Sequence, residues 1–444
     1  IVHLFSDSKT VRRHDQRTRS DRNRALHASW LSQMPLLVDA YLTWKHEGPF
    51  STPTECTRHT FEVGAIDTTK YEPVFAVTQQ EDEPANVSLL RVGLLGSSPI
   101  HPTIAIHVNC LELYHRIRRR QSSFSVQAMA KVLCDIHNVT YSQHFRDQLS
   151  MAFDIYLTIL RNIQLSLDSR LGRESRDWLL HGSCPACSFE QPDEPKLVPA
   201  RLHNMDGNNS AKRVDGSGSA DPRVFISRYF IPEAEVDQFK DDVRQRPGEH
   251  AKKASVNNNL ARCTDTWTAA KSTEENKIQV FEQTGIFVLA CRHGFVESIA
   301  EMKRSGELAK YGLASISRLL DVCGKDQALG HDIGCSSKVT IAASSVGTKA
   351  KSLGLQIAVN AFHGFAHNRR CQLRNHPLYL QGFGIEDLET CERIFSSSNS
   401  AAVLIRHASH FHWTQYLDLH FNQWDRDKYT ELSTYALNSH SFPH

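Results

Sequence analysis

No stretch of this chain is apolar over enough residues to approach a membrane span, and nothing in it has the charged-then-apolar form of a secretory leader. Signatures of several common chemistries are missing too. There is no P-loop, no GxGxxG in strand–turn–helix context and no GxSxG elbow, which removes the usual nucleotide-hydrolase, dinucleotide and α/β-hydrolase readings. His363 and His367 stand four apart, but no Glu follows the first, so HExxH protease chemistry is excluded. Cys184 and Cys187 form CPAC without a second CxxC at finger-like spacing. A net charge of only +2 leaves nucleic-acid binding unannounced by composition. No internal repeat is present.

The charge that exists is uneven. Residues 9–24 carry seven Lys/Arg against two Asp, and Arg116, Arg118, Arg119 and Arg120 close LELYHRIRRR. Such runs track a phosphate backbone or form a solvated arm and helix end. Eleven cysteines, an odd and scattered set, fit reduced thiols of the cytosol or nucleus better than a disulfide framework. The chain begins at Ile1 rather than Met and stops soon after YTELSTYALN, so terminal segments are expected to be missing.

Along the chain, residues 1–26 are expected as a disordered basic arm and 27–180 as a mostly helical domain. Alternating stretches within 58–80 suggest strands. Between 123 and 170, Phe145, Leu149, Phe153, Tyr156, Leu160, Ile163 and Leu167 recur at three- and four-residue steps and predict one long helix with a core-facing stripe. Residues 188–222 are loop-like except for KLVPARLHNM, a candidate strand entering Asp206. TGIFVLACRHGFV reads as a buried strand, and ESIAEMKRSGELAKYGLASISRLLDVCG as a helix with glycine breaks. ALGHDIGC is strand-to-turn, LQIAVNAF a strand, and GIEDLETCERIFS onward mostly helix. Strands alternating with helices imply an α/β layer fold for 181–444, with a long insertion at about 207–280.

Asp206, Asp332 and Glu392 each lie in or beside an apolar element. Converging carboxylates of this kind suit Mg2+, which prefers hard oxygen ligands. Gly207 and Gly334, one and two residues past Asp206 and Asp332, would permit close backbone approach of a phosphate. Arg292, His293, His363, His367, Asn368 and Arg369 are candidate phosphate contacts. Cys184 and Cys187 are candidate zinc ligands, and Cys263, Cys291 and His293 are residues that could complete a tetrahedral set from a distance.

In their order, LLGSSPIHPTIAI, WLLHGSCPAC, MDGNNSAKRV, DPRVFISRYFIP, CTDTWTAA, TGIFVLACRHGF, MKRSGELAKYGLA, LGHDIGC, AFHGFAHNRRCQL, HPLYLQGFGIEDLETCERIFSSSN and RHASHFH resemble the KDZ (Kyakuja–Dileera–Zisupton) transposases, abundant in fungal genomes. The resemblance covers roughly residues 85–440. The region before CPAC looks like the N-terminal domain of the fungal members, named for a cysteine cluster. The resemblance implies an RNase H-like core, a mixed sheet flanked by helices, with a DDE triad. Asp206 in MDGNN and Asp332 in HDIGC carry over as the first two acids. CERIFS is similar to the SERxFS element of hAT transposases, which implies Glu392 as the third, with Glu386, Asp387 and Glu389 as alternatives. HGFAHN is similar to a hAT-like motif that helps handle DNA ends. Where the family usually has Tyr before the second acid, this chain has His331.

The expected activity is Mg2+- or Mn2+-dependent cleavage and strand transfer on double-stranded DNA, transposon ends and target, in the nucleus, with structural Zn2+ at the cysteines. No membrane partner is expected, and homo-oligomerisation is left open. The alternatives are an inactive or domesticated DNA-binding protein of the same fold and a zinc-stabilised interaction module.

Overall fold

The computed structural model describes residues 16–49, 58–242 and 280–440. CTDTWTAA, Cys263 and the first part of the basic run lie outside them. The chain divides into two compact units, Ile1–Glu174 with Ser219–Arg223, and Ser175–Gly218 with Val224–His444.

In the first unit a helix spans Arg19–Glu47, so residues 19–26, expected as part of the arm, are helical. Thr18 accepts the Asp21 amide at its start, and Trp30, Met34, Leu37 and Tyr41 recur every three or four residues as its buried face. β1 (Arg58–Ile66) and β2 (Tyr71–Gln80) form an antiparallel hairpin. β3 (Leu94–Gly96) and β4 (Ile104–His107) complete a four-stranded sheet in the order β2-β1-β4-β3. The long helix expected over 123–170 is two, Val126–Ile136 and Gln143–Arg170, each N-capped by a serine, Ser125 and Ser142. Between them Asn138 takes a left-handed conformation at φ 53°, which ends the first helix. The stripe is buried from Phe145 to Tyr156 and gives out at the far end, where Leu167 is 48% exposed.

The second unit is built on a six-stranded mixed sheet. β5 (Arg201–Asn208) is central, with β6 (Arg213–Val214), β7 (Phe281–Cys291), β8 (Val296–Lys303), β9 (Gln327–Gly330) and β10 (Gln356–Ala358) around it. β5 pairs antiparallel with β7 and parallel with β9; β10 runs parallel to β9, and β8 antiparallel to β7. β6 pairs with the first residues of β7. The apolar run of β7 follows from burial on both faces. Phe287 and Leu289 pack with Met205, Tyr311 and Leu319 on one side; Ile286, Val288 and Ala290 pack with Ile394, Trp413 and Phe421 on the other. Helix Ala309–Cys323 therefore covers one face, and helices Thr390–Ser398 and His410–His440 the other.

One expected helix begins as a strand, and a second stretch, mostly helical as expected, starts late. ESIAEMK is strand β8, not the start of a helix. Its alternation is disguised because Glu297, one of three charged residues in the strand, is buried against His203 at 2.7 Å. The helical stretch expected from GIEDLETCERIFS onward begins only at Thr390 and breaks twice before His410.

Candidate active site and metal centres

Register brings the first two acids together. Asn204 pairs with Gly330 in the parallel β5–β9 ladder. Two residues further along each chain stand Asp206 and Asp332, at the same edge of the sheet. Asp206 is 7% exposed. Asp332 accepts a hydrogen bond from Asn360 Nδ2 at 2.7 Å, just past β10.

The third element is pinned by Asn204, fully buried on the same face of β5 as Asp206. Its side-chain oxygen accepts the Cys391 amide at 2.8 Å, at the start of helix Thr390–Ser398. Its Nδ2 donates to the Leu388 carbonyl and to Asn360 Oδ1. Leu388 adopts φ 58° and is fully buried. It comes so close to Gly330 that a Cβ there would lie 2.6 Å from the leucine Cβ. This turn sets the direction of the helix that carries Glu392.

The carboxylate of Glu392, the carboxylate of Asp332 and the imidazole of His363 present ligand atoms within 4.8 Å of one another. His363 Nδ1 lies 3.2 Å from Asp332 Oδ1 and 3.6 Å from Glu389 Oε2. The alternatives to Glu392 have other engagements. Glu386 pairs with Arg292 at 3.5 Å, Asp387 holds Arg393 at 2.8 and 3.1 Å, and Glu389 accepts the Phe362 amide at 2.8 Å.

Glu307, which lies in MKRSGELAKYGLA but was not among the expected site residues, joins the acids. It reaches over Gly207, where a Cβ would sit 2.4 Å from its carboxyl group. Gly207 thus makes room for a side chain of this protein. Burial pushes Asp206 up to about 8, helped by the negative charges of Asp332, Glu307 and Glu392. Burial and Asp332 raise Glu307 to about 7. Asp332 rises to about 6 through burial, moderated by His363. His363 is held up at about 9 by Glu389 and Asp332 against its own desolvation. The pocket thus holds protons and one imidazolium in place of a balancing cation. Compressed hard oxygens of this kind form a donor set that fits Mg2+ or Mn2+.

Two clusters of softer donors flank this region. Cys184, Cys187, Cys291 and His293 present their ligand atoms within 4.8 Å of each other, with His293 Nδ1 at 3.5 and 3.3 Å from the first two sulfurs. Neighbouring thiols donating to Cys184 pull its pKa far down, while Cys187 and Cys291 are pushed up. Residues 184–188 and the β7–β8 turn are thereby joined into a Cys3His set that could bind zinc. The second cluster is Cys335, His367 and Cys371.

The candidate phosphate contacts are scattered. Arg292 is paired with Glu386, and His293 sits among the thiols. His363 belongs to the acids, and His367 to the second cluster. Asn368 caps helix Arg369–Asn375 by accepting the Cys371 amide at 3.0 Å, and Arg369 is exposed. His363 and His367 do not share a helix face. The helix of His363 ends at Gly364, and the two rings point to different clusters.

A mixed sheet carrying close-packed acids at one edge, backed by helices on both faces, defines a class of α/β proteins suited to divalent-cation chemistry. Residues 199–425 match the family model for the Kyakuja-Dileera-Zisupton transposases, and the chain belongs to this family. The family implies DNA as the bound partner and an enzyme that acts on nucleic acid. No curated protein and no solved structure matches the chain. Among the described residues no helix is long and apolar enough to cross a membrane.

Proposed function

We propose that the chain is a DDE transposase with an RNase H-like core, which cleaves double-stranded DNA and joins strands in the nucleus. The observation that supports this is the grouping of Asp332, His363 and Glu392 within 4.8 Å, with Asp206 two residues past the β5–β9 register and close enough to Asp332 and Glu392 for their charges to raise it. An acid on a central strand, a second after the adjoining parallel strand and a third on a helix across the sheet are what that fold requires. Residues 243–279, outside the described residues, fall within the expected insertion.

Asp206, Asp332 and Glu392 would hold Mg2+ or Mn2+, which supply charge stabilisation to the attacking and leaving oxygens of phosphodiester exchange. In cleavage a water oxygen bonds to phosphorus as the bond to the 3′ oxygen breaks, leaving a 3′-hydroxyl and a 5′-phosphate. In joining, that 3′-hydroxyl attacks a target phosphodiester, and its proton passes to solvent as the target 3′ oxygen leaves. Burial and the neighbouring acids hold Asp206 up at about 8, and a cation held there would favour its carboxylate form. Asn360 orients the Asp332 carboxylate, and His363 neutralises the pocket between turnovers. Exposed Phe362 and Phe365, at 69% and 76%, and Arg369 offer stacking and phosphate contacts beside the acids. Cys184, Cys187, Cys291 and His293 would hold a structural Zn2+.

The test is nicking of supercoiled plasmid by the purified full chain with Mg2+ or Mn2+. Asp206→Asn and Asp332→Asn should each slow it by at least about a hundredfold. Unchanged nicking in either variant overturns the assignment. Salt-dependent DNA binding by the parent chain without any cleavage would instead identify an inactive DNA-binding copy.

A further inference from the structure

We propose that Cys335, His367 and Cys371 form a second, independent soft-metal site, for Zn2+, which clamps the backbone that presents Asp332. The three ligand atoms lie within 4.8 Å of one another. His367 Nδ1 stands 3.5 Å from Cys335 Sγ and 3.3 Å from Cys371 Sγ. Zinc bonds of about 2.3 Å to sulfur and about 2.0 Å to nitrogen give a tetrahedron whose sulfur–nitrogen edge is about 3.5 Å, so the spacing fits one ion with little movement. Two thiolates and an imidazole favour Zn2+ over Mg2+ or Ca2+. Three protein donors leave the fourth position to water.

The surroundings are those of a metal site. A ligating imidazole normally donates its remaining N–H to a carbonyl or carboxylate, which fixes the tautomer. His367 Nε2 lies 3.2 Å from the Asp332 carbonyl oxygen, so the ring aims its other nitrogen at the two sulfurs. Cys371 Sγ receives Asn375 Nδ2 at 3.2 Å, and Asn375 Oδ1 in turn receives Lys338 Nζ at 2.5 Å. The amide and the lysine behind it place donors and positive charge beside this sulfur. Cys335 is the second residue of helix Gly334–Ala343, in the first turn after Asp332. His367 and Cys371 are buried, at 5% and 4%. The donors come from three places: the helix after the second acid, the turn after His363, and helix Arg369–Asn375. A bound ion would tie all three to the main chain at Asp332, which makes His367 a positioning residue rather than a phosphate contact.

The experiment measures metal content and cysteine protection in the full chain produced with zinc, so its outcome does not depend on DNA cleavage. Cys335→Ser and Cys371→Ser should each lose one zinc equivalent while keeping the equivalent that Cys187→Ser removes. The half-buried Cys335 of the parent should resist alkylation until a chelator is added. Cys335 alkylated equally with and without chelator, or zinc content unchanged in Cys335→Ser, overturns the site. The alkylation measurement needs no variant and stands if the substituted proteins fail to fold.

Discussion

The acid pocket and the Cys3His cluster lie on the same sheet, yet removing the charge from each should have opposite effects. In the pocket, carboxylates are crowded together by strand register and an intervening glycine, and burial works against their ionisation. In the cluster, thiols and an imidazole converge with no other partner able to satisfy them all. One arrangement is strained without a cation and holds its shape through neighbours such as Asn204; in the other the cysteines also pack with Phe295 and Leu432, and a bound ion would tie residues 184–188 to the β7–β8 turn. Function and stability are thus assigned to different donor sets.

The sharpest break would come from Cys187→Ser beside Asp206→Asn. Losing a ligand of a structural zinc site removes folding free energy outright, and the unfolding midpoint should fall by on the order of 10 °C. Asp206→Asn replaces a carboxyl that burial and neighbouring acids already keep largely protonated near neutral pH, so the metal-free protein should stay as stable or more so, while cleavage is abolished. Equal destabilisation by both, measured calorimetrically, would erase the distinction.

A second test is pH. Asp206, Glu307 and Asp332 titrate in the folded chain near 8, 7 and 6, all above the ordinary carboxylate range. Between about pH 4 and 8 the native state therefore binds more protons than the unfolded one, so stability declines as pH rises. His363, held up at about 9, acts in the same direction, its contribution present below its ordinary value and lost as pH climbs through 9. Without divalent cation, melting at pH 8.5 should occur several degrees below that at pH 6, a shift of a few kcal/mol at most. Added Mg2+ should raise it more at pH 8.5. A flat profile would mean that the acids are not coupled as described.

How much of this was readable beforehand depended on the range of the interactions. Alternating strands and helices, the two-sided burial of β7 and the acids Asp206 and Asp332 are marked by local pattern or by short motifs. β8 was misread because the partner that makes Glu297 tolerable is His203, on a strand some ninety residues earlier. Glu307 lies in MKRSGELAKYGLA, but its place over Gly207 depends on the tertiary fold and not on local pattern. His367 reads locally as a phosphate contact beside Asn368 and Arg369; of the two thiols against its ring only Cys371 is near in sequence, and Cys335 is thirty-two residues away. The choice among Glu386, Asp387, Glu389 and Glu392 could not be made from IEDLETCE itself, since it turns on the left-handed residue Leu388 and on Asn204.

Asn204 accordingly supplies the next test. Asn204→Ala leaves the Cys391 amide and the Leu388 carbonyl buried without their partner, which should cost about 2–3 kcal/mol. Because the same side chain aims the Glu392 helix, cleavage should fall further than melting alone explains. Loss of stability without that extra loss of rate would show that Glu392 does not depend on this anchor.

The smallest effect belongs to Glu307→Gln. The substitution keeps shape and the contact with Asn209, which lies 3.3 Å from Glu307 Oε1, but removes one of the charges that repel Asp206. Burial remains the larger cause, so the Asp206 pKa should fall by about one unit or less. The pH dependence of metal-free melting should flatten accordingly, because Glu307 itself no longer titrates. If Glu307 is a further cation ligand, Gln will also weaken Mg2+ binding, seen as a higher Mg2+ concentration for half-maximal nicking. If it only crowds Asp206, that concentration will hold or fall, since the variant releases a proton from Asp206 more readily. The direction of that one shift separates a fourth ligand from a neighbour that tunes the first.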